Sequence, residues 1–204
     1  MKKLLLSLIT VSALAFTTQA QTEKGKFSLG GNVEFGTDKA RGATKTDVNF
    51  TVLPTVGYFV SDNFSVGTAV GYTFDKSYTP ASTNVLKSQA FVVAPFARAY
   101  KNITDQFKFF GQLSVPMAFG NTKTSADNGD NYTKVGKDNT VGVALSPGFA
   151  FFPSKRFGIE FSVQGISYND ATAKDANNNK VGGDKNFTIG ANMLAPKIGV
   201  QFYL

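Results

Sequence analysis

The stretch FSVGTAVGYTF, residues 64–74, alternates large apolar side chains with small ones, and Thr68 is its one exception. The large side chains are those of Phe64, Val66, Val70, Tyr72 and Phe74. The small ones are those of Ser65, Gly67, Ala69, Gly71 and Thr73. A period of two is the signature of a β-strand whose two faces meet different environments.

The same alternation recurs on both sides of residues 64–74. It appears again at 27–35, 48–60, 91–100, 107–119, 141–151, 157–163 and 187–204. Four of these segments carry a proline near the middle, at Pro54, Pro95, Pro147 and Pro196. The result is eight strand-like segments in four similar hairpins. An even number of antiparallel strands can close on itself with both chain ends on one side.

The sizes of the two faces indicate which one points inward. An eight-stranded barrel has an interior just wide enough for side chains to fill, so the Gly, Ser, Ala and Thr face fits inside. The face rich in Phe, Val, Leu and Ile then points outward, and such an exterior requires lipid. The sequence therefore predicts an all-β fold, an eight-stranded antiparallel up-and-down transmembrane β-barrel.

The connections support this fold, because long and short ones alternate. The long ones, predicted as external loops, are 38–46, 76–87, 121–138 and 170–185, whereas turns such as 61–63 and 154–156 are short. Outer-membrane barrels show this asymmetry, and they also carry aromatic girdles at both interfaces. Phenylalanines crowd the ends of the segments here, although Phe also favours strands in general.

Residues 1–20 have the pattern of a secretory signal peptide. Lys2 and Lys3 precede an apolar stretch too short to span a bilayer, and Ala20 ends a small-residue cleavage pattern. We expect residues 21–204 to be the outer-membrane β-barrel domain, exported through the periplasm. The chain has no cysteine, so no disulfide holds it together.

The prolines and the last segment depart from simple alternation. Proline lacks the N–H that a ladder needs, so four of them suggest a ring of local bends. Five residues after three of these prolines comes an inward-facing aromatic residue, Phe59, Tyr100 or Phe152, and Gln201 takes that place in the fourth. The last segment changes phase, which predicts a bulge near 192–193.

Charged residues on the small-residue face form a candidate lumen cluster. They are Glu34, Arg98, Lys108, Glu160 and Lys197. Charges there must pair or be hydrated. Two interpretations follow, a salt-bridged plug or a gated polar path, and the narrow lumen of an eight-stranded barrel favours the plug.

With these features, and with its closing segment Gly199–Leu204, the mature chain resembles the small bacterial outer-membrane β-barrel proteins. This group includes the OmpX type and the membrane domain of OmpA. The resemblance implies a bacterial outer-membrane location. It also implies contact with membrane lipid and lipopolysaccharide, and insertion by the barrel-assembly machinery.

The chain lacks the residues that several kinds of chemistry require. The chain has no histidine and no cysteine, so we expect no Ser-His catalysis, no ordinary metal site and no cofactor. The formal net charge of +7 is scattered, which argues against a nucleic-acid partner. Two acidic turns, 127–131 and 175–179, could hold Ca²⁺, but their spacing favours ordinary turn chemistry.

The function predicted from these observations is a non-catalytic structural or surface-interaction role. A surface ligand would bind through 121–138 and 170–185. One alternative is a narrow channel for small polar solutes. A second is a soluble secreted β-barrel that binds a ligand.

Overall fold

A computed structural model describes residues 21–39, 45–79, 83–190 and 197–204. Within these ranges the chain forms eleven strands: β1 Phe27–Asp38, β2 Asp47–Ser61, β3 Phe64–Tyr78, β4 Val85–Asn102, β5 Phe107–Ser114, β6 Met117–Ser125, β7 Thr133–Ser154, β8 Phe157–Ser162, β9 Ile166–Asp175, β10 Lys180–Ile189 and β11 Lys197–Tyr203. None of the described residues belongs to a helix long and apolar enough to cross a membrane.

The eleven strands make eight barrel strands, because three barrel strands are interrupted. β5 and β6 form one, β8 and β9 another, and β10 and β11 the last. Each pairs antiparallel with its neighbours in chain order, and β1 pairs with β11 to close the sheet. The predicted eight-stranded antiparallel barrel is confirmed.

Closure between the first and last barrel strands lies at the end with the short turns. Ser28–Gly31 of β1 lie opposite Val200–Tyr203 of β11, and the backbones of Phe27 and Leu204 exchange two hydrogen bonds. Farther out, the described residues of β10 pair with β9 and with no second strand. The short-turn half is thus joined all round, and the outer half of the first strand pairs with β2 on one side.

The predicted orientation of the two faces is confirmed. Val66 and Phe109 remain 40% and 38% exposed, whereas the inward-facing Phe59 and Phe152 are 0% and 1% exposed. The broad apolar band therefore lies outside, where hydrocarbon covers it.

Three of the strand prolines lie where the ladder toward the next strand is interrupted. The Pro95 carbonyl oxygen accepts from Val115 N at 2.9 Å, at the break between β5 and β6. The Pro147 carbonyl oxygen accepts from Val163 N at 3.1 Å, at the break between β8 and β9. Pro54 is one of two residues skipped in the register of β2 with β3. The missing N–H thus falls where no ladder bond is needed.

The outer connections are shorter than the sequence predicted, and this prediction is corrected. Strand pairing continues through half of 76–87 and through most of 121–138 and 170–185. It leaves connections of 79–84, 126–132 and 176–179. These segments are rich in Thr, Lys, Asp and Asn, and their few large apolar residues do not alternate. Backbone hydrogen bonds continue without an apolar face, so side-chain alternation alone ends the strands too early.

Three expectations fall on residues outside the described ranges. They are the signal peptide at 1–20, the bulge near 192–193, and the fourth strand proline, Pro196.

We predict that Gly148→Ala destabilises the barrel by about 1–3 kcal/mol, the usual range for overpacking. A Cβ at Gly148 would lie 2.4 Å from Phe110 Cζ and 2.5 Å from the Phe161 carbonyl oxygen. The matched control is Gly111→Ala, because a Cβ there meets nothing within 4 Å. Urea unfolding in lipid vesicles, followed by gel migration without heating, measures both. Equal midpoints for the two variants would contradict the packing argument.

Candidate functional site

Aromatic side chains fill the lumen at the short-turn end. This aromatic plug consists of Phe59, Tyr100, Phe110, Phe152 and Tyr203, all buried and grouped in one cluster. Neighbouring ring centroids lie 5.2 to 6.2 Å apart, which is ordinary aromatic packing. The plug excludes water from the centre of this half of the barrel.

A buried ion pair lies directly against the plug. Arg98 Nη1 donates to both carboxylate oxygens of Glu160, at 2.7 and 2.8 Å. Gln112 Oε1 accepts from Arg98 Nε at 2.8 Å and from Nη2 at 2.6 Å, and the Tyr203 hydroxyl donates to Glu160 at 3.0 Å. Because partners surround both charges, the pair is held firmly and the carboxylate is not free to act as a base.

The plug has a second polar layer on its other side, formed by the N-terminal residues. Lys108 Nζ donates to Thr22 Oγ1 at 2.6 Å, and Thr22 Oγ1 donates to Asn63 Oδ1 at 2.6 Å. Gly25 N donates to the Phe59 carbonyl oxygen at 2.8 Å. Residues 22–26 therefore fold across the short-turn end and cover the plug.

Above the ion pair the lumen opens into a cavity of about 280 Å³. Hydroxyl and amide side chains line much of it, including Ser114, Ser146, Ser162 and Gln164. Gln201 also lines it, and its Oε1 is buried with no hydrogen-bond partner. The barrel is thus filled at one end and hollow and polar toward the other.

The five charges proposed from the sequence occupy different places. Arg98 and Glu160 form the ion pair, and Lys108 lies on the opposite side of the plug. Lys197 lines the cavity with its side chain exposed, and Glu34 is exposed on β1. The structure therefore brings two of the five into contact.

Sequence reasoning placed Phe59, Tyr100 and Phe152 in the lumen, and it missed two members of the plug. Tyr203 fills the place that the fourth repeat left open at Gln201, and Phe110 comes from β5. The parity of Tyr203 with Gln201 on an alternating strand is the signal that could have found it.

The Asp127 and Asp175 carboxylates of the two acidic turns accept hydrogen bonds from residues of the same turn. Asn131 donates to Asp127 through its backbone N at 2.9 Å and through its side chain, and Asn179 does the same to Asp175. The hydroxyl of Ser125, followed by the Asn131 donors, holds the pKa of the Asp127 carboxyl well below its usual range. Among the described residues, no three His, Cys, Asp or Glu side chains are grouped to hold a metal ion.

We predict that Glu160→Gln lowers the free energy of unfolding by about 3–5 kcal/mol, because Arg98 would remain as a buried charge without its counterion. The double variant Arg98→Met with Glu160→Met removes both charges and should recover most of that loss. Urea midpoints in zwitterionic vesicles compare the three proteins. A double variant at least as unstable as the single one would refute this account of the pair.

Comparison with known proteins agrees with the geometry. The structure resembles the outer membrane protein OprG from Pseudomonas aeruginosa, with a TM-score of 0.50 and 14% identity over 91% of this chain and 99% of the other. It also matches the Neisserial surface protein A, with a TM-score of 0.46 and 14% identity over 88% and 99% of the two chains. At these identities the likeness concerns the fold. No curated protein matches the chain.

The family assignment comes from the sequence itself. Residues 4–193 match the family described as outer membrane protein beta-barrel domain, which is most of the chain. The outward apolar band and the barrel closure agree with that match. The chain belongs to the outer membrane protein β-barrel domain family and is a protein of the bacterial outer membrane.

Proposed function

We propose that this outer-membrane barrel has a structural or surface-interaction role and does not catalyse a reaction. The observation that carries the proposal is the filled lumen. Residues 22–26, the aromatic plug and the Arg98–Glu160 pair follow one another along the axis from the short-turn end. A solute would have to displace all three to cross.

The absence of catalysis is supported by residue chemistry. The chain contains no histidine or cysteine, the usual bases and nucleophiles of hydrolytic sites. The one buried carboxylate described in the lumen, that of Glu160, is engaged by Arg98 and by Tyr203. Its hydrogen bonds give it a structural role.

The outer surface supports the interaction role. The hairpins β6–β7 and β9–β10 cover 121–138 and 170–185, and β10 is exposed along its whole length. Their tips, 126–132 and 176–179, are fixed by Asp127 and Asp175. Paired strands with ordered tips present a surface of defined shape, which lowers the entropic cost of binding a partner.

The channel alternative has one feature in its favour, the polar cavity above the ion pair. That cavity ends at Arg98, Glu160 and Phe110, which line it. The cavity is therefore better described as a pocket closed at one end than as a path through the membrane. The outer-membrane location leaves no role for the soluble alternative.

We predict that the wild-type protein gives no steady single-channel openings in planar bilayers. Phe59→Ala with Phe152→Ala empties part of the plug and should raise the conductance above the wild-type level. The control replaces the neighbouring residues Val60 and Phe151 with alanine, which leaves the plug intact, and should remain silent.

Heat-modifiable gel migration checks that each variant is folded before it is measured. Reproducible openings of the wild-type protein would favour the channel and overturn the closed-lumen proposal. Equal conductance of the plug variant and its control would show that the aromatic residues are not what blocks the path.

A further inference from the structure

The two strands that close the barrel separate after four residues of contact. Ser28–Gly31 of β1 pair with Val200–Tyr203 of β11, although both strands continue outward from there. Beyond this contact β1 pairs with β2, β11 pairs with β8, and the described residues of β1 and β11 do not pair with each other. The cavity above the ion pair reaches the point of separation, because Gly31, Asn32 and Lys197 line it.

Two opposite charges lie on either side of this separation. The register of the paired residues, extended outward, sets Glu34 opposite Lys197. Both belong to the lumen face, since Glu34 has the parity of Asn32 and Lys197 has the parity of Gln201. Neither side chain forms an ion pair with a described residue. Each charge is therefore available to a ligand that lies between the two strands.

The charges around the cavity indicate which kind of ligand fits. Arg98 and Glu160 neutralise each other, so Lys197 is the one unpaired charge among the described lining residues. Farther out, four carboxylates share the lumen face: Glu34, Asp38, Asp75 and Asp138. These carboxylates would repel a simple anion, and Lys197 would repel a simple cation. A molecule that carries both charges can contact Lys197 and Glu34 at once.

The size and walls of the cavity limit the ligand further. Its volume of about 280 Å³ lies just below the roughly 300–1,000 Å³ of pockets that hold drug-sized molecules. Hydroxyl and amide groups such as those of Ser146, Ser162 and Gln164 line it. Near the plug, Gln201 is 4% exposed and its Oε1 has no hydrogen-bond partner. The inner end of the cavity therefore lacks a hydrogen-bond donor, which a small polar ligand would supply.

We propose that the cavity binds a small zwitterion of the amino-acid type. Its carboxylate contacts Lys197, its ammonium group contacts Glu34, and a polar side chain extends toward Gln201. The ligand bridges β1 and β11 where their backbones are not paired with each other, and it enters from the outer end. This site goes beyond the proposed surface role and needs no path through the plug, so the conductance experiment leaves it untouched.

The test uses three probes that differ in charge alone at the reacting ends. L-glutamine carries both charges, L-glutaminamide keeps the ammonium group, and N-acetyl-L-glutamine keeps the carboxylate. Each is titrated into the mature protein in phosphatidylcholine nanodiscs, and the NMR signals of the backbone amides of 197–201 report the occupancy. We expect L-glutamine to bind about fivefold more tightly than either analogue, the upper range for a partly solvated ion pair.

Two single variants assign the ends of the ligand. Lys197→Gln should weaken the binding of L-glutamine and remove its advantage over L-glutaminamide, while its advantage over N-acetyl-L-glutamine remains. Glu34→Gln should do the reverse, because it removes the partner of the ammonium group. Heat-modifiable gel migration checks that each variant is folded.

The matched control is the double variant Lys185→Gln with Asp170→Asn. These residues form a salt bridge of 3.5 Å between β9 and β10, away from the cavity lining, and their removal also leaves the net charge unchanged. The control should keep the wild-type order of the three affinities.

Three results would overturn the proposal. L-glutamine could cause no saturable shift in the wild-type protein. The three probes could bind equally, which would mean that the charges do not select the ligand. The two single variants could change all three affinities alike, or no more than the control does, which would indicate an effect of general charge or of structure.

Discussion

Backbone hydrogen bonds between β1 and β11 join the two ends of the sheet. Hydrocarbon offers no water to an unpaired N–H or C=O, so a sheet in a membrane must satisfy these groups within itself. The outward apolar band follows from the same constraint, because closure leaves one face for lipid and one for the lumen. The prolines obey it as well, since Pro95 and Pro147 lie at breaks in the neighbouring strand and still use their carbonyl oxygens.

Side-chain size was enough to predict the number of barrel strands and the direction of each face. It was not enough to predict register, because alternation is unchanged when a strand slides by two residues. The hairpin lengths, the contact of Lys108 with Thr22 and the alignment of Lys76 with Lys87 all depend on register. Phe110 has the parity of Lys108 and Gln112, so alternation places it on the lumen face, just as it does Tyr203.

The candidate site depends on a division along the barrel axis. Below, the aromatic plug is packed like a protein core, and the Arg98–Glu160 pair forms its upper boundary. Above, small polar side chains leave a cavity of about 280 Å³. Losing one partner of a buried ion pair strongly destabilises a protein, whereas the intact pair adds little net stability. The pair therefore serves mainly to hold both side chains in place. The filled end of the barrel supports the proposed role at its outer surface.

The location of the plug at a single end makes the two ends unequal as sites for evolutionary change. Near residues 22–26, Asn63 and Lys108, an insertion would separate groups that bond across the barrel mouth. At 126–132 and 176–179 the chain turns beyond the packed half, and added residues would disturb little that holds the fold. Relatives are therefore expected to differ in length and composition at the outer tips, and to stay nearly constant at the short-turn end. The outer tips are also suitable places to insert a foreign peptide.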